Sequence, residues 1–210
     1  MIPELSTLVL FAGAAALLLM VPGPVVVFVV ARSLDQGRGA GLVSVLGVHL
    51  ASVLHVGAAA LGLSALLMSS ANAFTAVKLT GAAYLVYLGI RRLADGDRLI
   101  DLSALTRTPM AELFWQGFIV NLLNPKTALF FLAFLPQFVD PARGSLAAQI
   151  GFLGFLFIVL GLISDSAYAM LAGLLRSQFA RRSLALRLER YVSASAYLGL
   201  GALTAWAKRN

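Results

Sequence analysis

The sequence predicts an all-α integral membrane protein, and three observations lead to that fold class. Hydrophobic residues make up 60% of the 210 residues and charged residues only 12%, and the mean hydropathy is +0.91. A soluble domain needs far more charge to cover its surface. The apolar residues also fall into six runs of about the length that crosses a bilayer as a helix. We therefore predict one transmembrane domain over residues 1–210.

Charge and cysteine content exclude several other classes of protein. Cysteine is absent, so disulfides, thiolate metal sites and thiol redox chemistry are excluded. The net charge of +7 comes from basic residues in short connections between apolar runs, which is typical of loops at an anionic membrane surface rather than of nucleic-acid binding. No basic residue precedes the first apolar run, so we expect this run to remain as a span and not to be removed as a signal peptide.

Six transmembrane helices are predicted in chain order. They cover residues 5–31, 40–68, 73–90, about 112–139, 147–175 and 191–207. A short polar loop is expected at 32–38, between the first two spans. The sixth run is short, and the sequence leaves open whether it fully crosses the membrane.

The distribution of basic residues predicts the orientation of the spans. The loops after spans one, three and five contain most of the Lys and Arg, whereas the opposite side has Arg143, Lys208 and Arg209. Cytoplasmic loops collect Lys and Arg. We therefore expect these three loops to be cytoplasmic and both termini to lie outside.

The two halves of the chain follow one plan, which predicts two inverted three-helix repeats. Repeat 1 covers about 1–93, a cytoplasmic loop about 94–110, and repeat 2 about 111–210. The first and fourth helices are each broken at a proline motif, PGP and NPK respectively. Three spans per repeat place the halves in opposite orientations. Inverted repeats with broken helices are typical of secondary transporters, whose substrate site lies near the midplane of the bilayer.

The first proline motif consists of Pro22, Gly23 and Pro24. Two prolines around a glycine cannot form regular helix, because proline lacks an N–H and clashes with the preceding turn. The backbone groups left unpaired need partners in a medium without water. We interpret the motif as an open break that faces a ligand; the alternative is a kink that serves packing only.

The second motif, Asn124, Pro125 and Lys126, lies in the middle of a long apolar run. A lysine at that depth costs roughly 2.5–3.5 kcal/mol on insertion scales, so it should face protein or a wet cavity. We interpret Lys126 as a cation that binds a carboxylate or pairs with Asp165, the alternative being an anchor that reaches an interface. Asn124 either contacts a ligand or caps the helix that resumes after the break.

Asp165 in the fifth span and His55 in the second are the predicted proton-coupling residues. An intramembrane carboxylate is a functional candidate by default; Asp165 either titrates as a proton carrier or neutralises Lys126. His55 is either a proton relay or a hydrogen-bonded packing residue. His49 lies about 120° round the helix from His55, so the two histidines do not form a metal clamp. Enzyme, phosphate-binding and metal motifs are missing, so we predict no catalysis, cofactor or metal.

Three segments resemble the lysine-exporter (LysE/RhtB) family of bacterial amino-acid efflux proteins. They are MVPGPVVVFVV, VKLTGAAYLVYLGIRRL and GFIVNLLNPKTALFFLAFLPQFV, and the similarity extends over nearly the whole chain. The resemblance implies a small exporter in the bacterial plasma (inner) membrane. It implies that amino acids or close derivatives leave the cytoplasm, driven by the proton-motive force, so that the partners are this substrate, protons and lipid.

The resemblance also implies roles for particular residues. Both proline motifs match the family's motifs and become substrate-binding candidates, and Asp165 falls where many members have an acidic residue. Val25 departs from the pattern, because members commonly have Asn or Asp directly after PGP; this leaves open a more apolar cargo. The sequence also leaves open a homo-oligomer, a membrane-embedded enzyme that uses Asp165 and His55 as acid and base, and a non-transporting scaffold.

Overall fold

The computed structural model describes residues 3–63, 75–76, 79–80, 83, 86–87, 90 and 108–174. The regular structure in these ranges is helical. The sixth predicted span lies outside the described residues, as do most of the third span and of the 94–110 loop. The two-repeat arrangement as a whole therefore stays a prediction.

Six α-helices form the described part of the chain. They are α1 (Leu5–Met20), α2 (Pro24–Gln36), α3 (Arg38–Ala58), α4 (Met110–Leu122), α5 (Pro125–Leu129) and α6 (Leu146–Leu174). Helix α3 continues as a π-helical turn over Ala59–Leu63, and α5 continues through π and 3-10 turns to Phe138. By length and composition, α3 with its continuation and α6 are each able to cross a membrane. If the pairs α1–α2 and α4–α5 each form one bent span, the described residues contain four spans in all.

Both bends fall at the proline motifs. The axes of α1 and α2 differ by 52°, and those of α4 and of the helical stretch that begins with α5 by 48°. Pro24 and Pro125 each occupy the first position of the helix that follows, where the missing N–H has no helical partner to lose. The prolines therefore start new helices rather than distorting continuous ones.

The predicted loop at 32–38 is wrong. Helix α2 continues to Gln36 and α3 begins at Arg38, so Gly37 alone makes the turn. Its φ of +90° lies in a region that side-chain-bearing residues rarely adopt. The polar residues before it are the last turns of α2, because a single glycine of this kind can reverse the chain without a loop.

Helix α3 packs closely against both α4 and α6. A Cβ on Gly47 of α3 would collide with the backbone oxygen of Phe114, and one on Gly117 of α4 with that of Ser44. A Cβ on Gly154 of α6 would come within 2.5 Å of the Val56 side chain. Glycines thus bring α3 close to its neighbours, as small residues do between membrane helices.

The connections group at two ends of the helices. At one end, Glu4 pairs with Arg143 of the α5–α6 turn. At the other, the backbone N–H of Thr108 donates to the Gln36 side chain over 3.1 Å, and Arg32 donates to Gln116 over 3.0 Å. Glu4 and the α5–α6 turn therefore share one end of the helices, and which end faces the cytoplasm stays a prediction.

Aromatic side chains hold the broken α4–α5 span against its neighbours. The buried rings of Phe11, Phe130 and Phe157 come from α1, the continuation of α5, and α6. Phe130 lies 5.8 Å from Phe11 and 4.7 Å from Phe157 between ring centroids. This apolar cluster fixes the residues after the second break, so the polar groups at the break keep a defined position.

Candidate functional site

The two helix breaks meet through Lys126. Its ammonium Nζ donates a hydrogen bond to the backbone oxygen of Val21 over 2.7 Å, and Val21 is the residue at which α1 ends. The last carbonyls of a helix lack helical partners. A cation at this end is also attracted by the negative end of the helix dipole. The neighbouring Met20 oxygen accepts a bond of 2.9 Å from the Tyr168 hydroxyl. Side chains of α5 and α6 thus satisfy two of the carbonyls at the first break.

Asn124 caps the helix that resumes after the second break. Its side-chain oxygen accepts from the backbone N–H of Lys126 over 3.1 Å, and its amide donates to the hydroxyl of Thr127 over 3.0 Å. The capping role considered for it is therefore the one observed. The cap fixes the direction in which α5 leaves the break, and with it the position of Lys126.

Asn121 joins three elements, and the sequence analysis missed it. Its amide donates to the Val48 oxygen over 2.8 Å and to the Ser52 hydroxyl over 2.9 Å, both on α3. Its oxygen accepts from the Thr127 hydroxyl over 2.8 Å. Only 2% of the residue is exposed. The available signal was an amide side chain inside a span, where each polar group needs a partner.

Asp165 pairs with His49, not with His55. The His49 Nε2 atom lies 3.1 Å from the Asp165 carboxylate, and both residues are buried. Gly161, one turn before Asp165, lies directly against the His49 ring. Asp165 and Lys126 line the same cavity, and the pairing of their charges stays a prediction.

His55 takes part in a different contact. Its Nε2 atom lies 3.1 Å from the backbone oxygen of Asn121, and its ring stacks on Phe131 at 6.1 Å between centroids. A membrane enzyme of the kind considered above needs Asp165 and His55 within hydrogen-bond reach. The structure joins Asp165 to His49 and His55 to α4, so that acid–base pair is not formed.

The polar groups at both breaks line one cavity of about 30 Å³. Its lining residues are Leu18, Leu19, Gly23, Val25, Val26, Val48, His49, Ser52, Asn121, Asn124, Lys126, Thr127, Phe157 and Asp165. Pro24 and Pro125 are exposed and Pro22 is half-buried; these three and His55 lie outside the lining. Pockets that bury drug-sized ligands measure about 300–1,000 Å³, so this cavity admits a larger molecule only if the helices separate.

The cavity combines one ammonium, one carboxylate and several amide and hydroxyl groups with an apolar wall. A zwitterion presents the complementary pair of charges, and burial strengthens both attractions because the local dielectric is low. Within the part of the chain that the structure describes, no three potential ligands cluster in a way that could hold a metal ion. A cavity with both signs of charge between two broken membrane helices is typical of secondary transporters.

Comparison with known proteins agrees with this class. The chain belongs to the LysE type translocator family, which matches residues 16–207. An uncharacterized membrane protein of Vibrio cholerae is 31% identical, over 90% of this chain and 91% of its own length. A homoserine/homoserine lactone efflux protein of Salmonella typhimurium is 33% identical over 75% and 76%, and a leucine efflux protein of the same species is 32% identical over 60% of each chain. No solved structure matches.

Family membership confirms several predictions. The chain is a membrane transport protein of an amino-acid efflux family, and it is not an enzyme. The resemblance to this family, which rests on three segments of the sequence, is confirmed. The roles of individual residues, the coupling to protons and the orientation in the membrane stay predictions.

Proposed function

We propose that this protein exports neutral amino acids with small or apolar side chains from the cytoplasm, in exchange for protons that enter. One observation carries the proposal: both helix breaks open onto a single cavity that holds the cation Lys126 and the anion Asp165. The substrate carboxylate binds at Lys126 and its ammonium at Asp165. Gly23 and Asn124, at the two breaks, supply backbone and amide groups beside it, and the neighbouring prolines Pro22, Pro24 and Pro125 keep the helices open there.

The wall of the cavity supports a neutral substrate. Apart from the polar groups, it consists of Leu18, Leu19, Val25, Val26, Val48 and Phe157. A charged side chain on the substrate would lose its hydration against this wall without gaining a partner, which is costly. The names of two relatives, a leucine efflux protein and a homoserine/homoserine lactone efflux protein, agree with cargo of this class.

Protons rather than sodium ions fit the first break. Sodium sites in transporters with broken helices use the open carbonyls at a half-helix end. Here the Val21 carbonyl at the end of α1 already binds the Lys126 ammonium over 2.7 Å. The same cavity contains Asp165, with His49 in hydrogen-bond contact, and this pair is able to bind and release a proton.

Export then follows from alternating access across the plasma (inner) membrane. The cytoplasmic ends are those of the 32–38 and 94–110 segments, in line with the positive-inside rule. Because the cavity measures only about 30 Å³, the helices must separate before substrate binds. The two halves of the protein rock around the cavity and open it first to the cytoplasm and then to the outside.

The test uses purified protein in liposomes loaded with an equimolar mixture of the twenty common amino acids. The outside is acidified, and released amino acids are measured by mass spectrometry against vesicles without protein. We expect neutral amino acids such as leucine to leave faster with the acidic outside, while arginine and glutamate stay. Release of charged amino acids in preference would overturn the substrate class. If the protein releases none of them, the non-transporting scaffold becomes the better account.

A further inference from the structure

We propose that His49, rather than His55, holds the coupled proton together with Asp165, and that Gly161 makes room for its imidazole. The inference rests on the proposed function, because it assigns the proton of amino-acid–proton exchange to particular atoms. Family membership does not assign this role to either histidine. The three residues lie on two helices, with His49 on α3 and both Gly161 and Asp165 on α6.

The geometry of the pair leaves one nitrogen available for a proton. His49 is 5% exposed and Asp165 3%, and Nε2 lies 3.1 Å from the carboxylate. A carboxylate only accepts hydrogen bonds, so Nε2 carries the hydrogen and Nδ1 of the neutral ring keeps its lone pair. Nδ1 is buried and has no hydrogen-bond partner among the described residues. A proton added at Nδ1 therefore forms an imidazolium without breaking the bond to Asp165.

Gly161 makes this geometry sterically possible. A Cβ at this position would lie 2.5 Å from Cε1 of His49 and 3.3 Å from its Nε2, so a larger residue would push the ring away from the carboxylate. Gly161 precedes Asp165 by four residues and shares its helix face. One face of α6 thus both accepts the imidazole and supplies its anionic partner.

The charged surroundings of the pair are simple. Lys126 of α5 is the titratable residue that the other elements contribute to the cavity. The cavity residues of α1 and α2 are apolar or glycine, and α4 contributes the neutral Asn121. The charge of the His49–Asp165 pair is therefore opposed by Lys126 and, when substrate is bound, by the substrate ammonium.

Exchange follows from this balance of charge. With neutral His49, the pair carries one negative charge and binds the ammonium of a cytoplasmic amino acid, while Lys126 binds its carboxylate. When the site opens outside, a proton adds to Nδ1, the imidazolium cancels the charge of Asp165, and the amino acid is released. The site returns with the proton, which leaves Nδ1 to the cytoplasm. Each proton that enters thus displaces a bound amino acid outward.

The experiment compares two transport modes in proteoliposomes that contain leucine, the probe substrate. Net efflux is driven by an acidic outside, and exchange of labelled against unlabelled leucine is measured at equal pH. His49→Gln keeps a polar side chain that cannot take up a proton. We expect its pH-driven efflux to fall about tenfold or more, while exchange falls far less. Typical coupling free energies between two sites correspond to changes of about 5- to 150-fold.

Gly161→Ala is the second variant and leaves His49 in place. Displacing the His49 ring from Asp165 should again reduce pH-driven efflux far more than exchange. Gly57→Ala on α3 is the control, because a Cβ there meets none of the described residues within 4 Å. Thermal unfolding of each purified variant separates loss of coupling from loss of fold, and Gly161→Ala decides the matter if His49→Gln does not fold.

The outcomes separate the two proposals. If wild-type protein neither exports nor exchanges leucine or another neutral amino acid, the proposed function fails. If the wild type is active and His49→Gln keeps the wild-type response to outside pH, only the assignment of His49 is overturned. The assignment also fails if His55→Gln, rather than His49→Gln, loses pH-driven efflux and keeps exchange. It fails as well if His49→Gln loses efflux and exchange equally.

Discussion

Lys126 is the residue whose removal should damage transport most. Lys126→Met keeps much of the side-chain length but loses the charge and the 2.7 Å bond to the Val21 oxygen. The proposed bond to the substrate carboxylate is lost as well, and a hydrogen bond that involves a charged group contributes about 1.5–3 kcal/mol, which corresponds to a loss of about 13- to 160-fold in the efflux rate. The measurement is initial leucine efflux from proteoliposomes with equal amounts of folded protein. Efflux above half the wild-type rate would remove Lys126 from the substrate site.

Asn121 should matter for stability as well as for the site. Asn121→Ala removes three buried hydrogen bonds, those to the Val48 oxygen and to the Ser52 and Thr127 hydroxyls. Each such bond contributes about 0.5–1.5 kcal/mol, so we expect a clearly lower unfolding temperature in detergent. Gln137→Ala is the comparison, since that amide makes one half-buried bond, to the Ala133 oxygen. Equal unfolding temperatures for the two variants would contradict the role given to Asn121.

At the scale of residues, the sequence identified the groups that are costly in lipid but not their partners. Lys126 and Asp165 stand out because each is an ionisable group inside a span, and both line the cavity. The partner of Asp165 was not predictable, since His49 and His55 are equally plausible until the rotation of α3 against α6 is known. Gly161 settles that rotation locally, but only the coordinates show that it faces His49.

At the scale of elements, the contact between α3 and α4 depends on two glycines. Gly117→Ala would place a methyl group against the backbone oxygen of Ser44, and Gly47→Ala one against that of Phe114. Overpacking of this kind costs about 1–3 kcal/mol, so both variants should unfold at lower temperature. Gly57→Ala on the same helix α3 would contact nothing in the described part of the chain and should be neutral or slightly stabilising, because alanine favours helix. Three equal unfolding temperatures would contradict this packing.

The elements show which sequence signals are decisive. Both breaks were predictable, because proline within an apolar run has few alternatives in a membrane. The fifth span was predicted at 147–175 and α6 covers Leu146–Leu174. The prediction of a loop at 32–38 was wrong because polarity alone does not distinguish a loop from the polar end of a helix. Only the φ of +90° at Gly37 reveals that one residue makes the turn.

At the scale of the whole molecule, the orientation of the protein can be tested directly because the chain has no cysteine. Gly39 and Ala142 are exposed at opposite ends of the helices. An impermeant maleimide should label Ala142→Cys in intact cells, and Gly39→Cys only after the membrane is opened, because the arginine-rich loops face the cytoplasm. The opposite pattern would mean that the protein is inverted.

The central claim is that the transported amino acid occupies the cavity where the two broken helices meet. Val25, which lines that cavity, can be replaced by the similarly sized cysteine in this cysteine-free chain, with Ala142→Cys as the exposed control. The decisive measurement is the rate at which a small thiol reagent modifies each cysteine, with and without leucine, in protein that is active in exchange. The account predicts that leucine slows modification of Val25→Cys in a concentration-dependent way and leaves Ala142→Cys unchanged. Equal rates at Val25→Cys with and without a transported amino acid would contradict it.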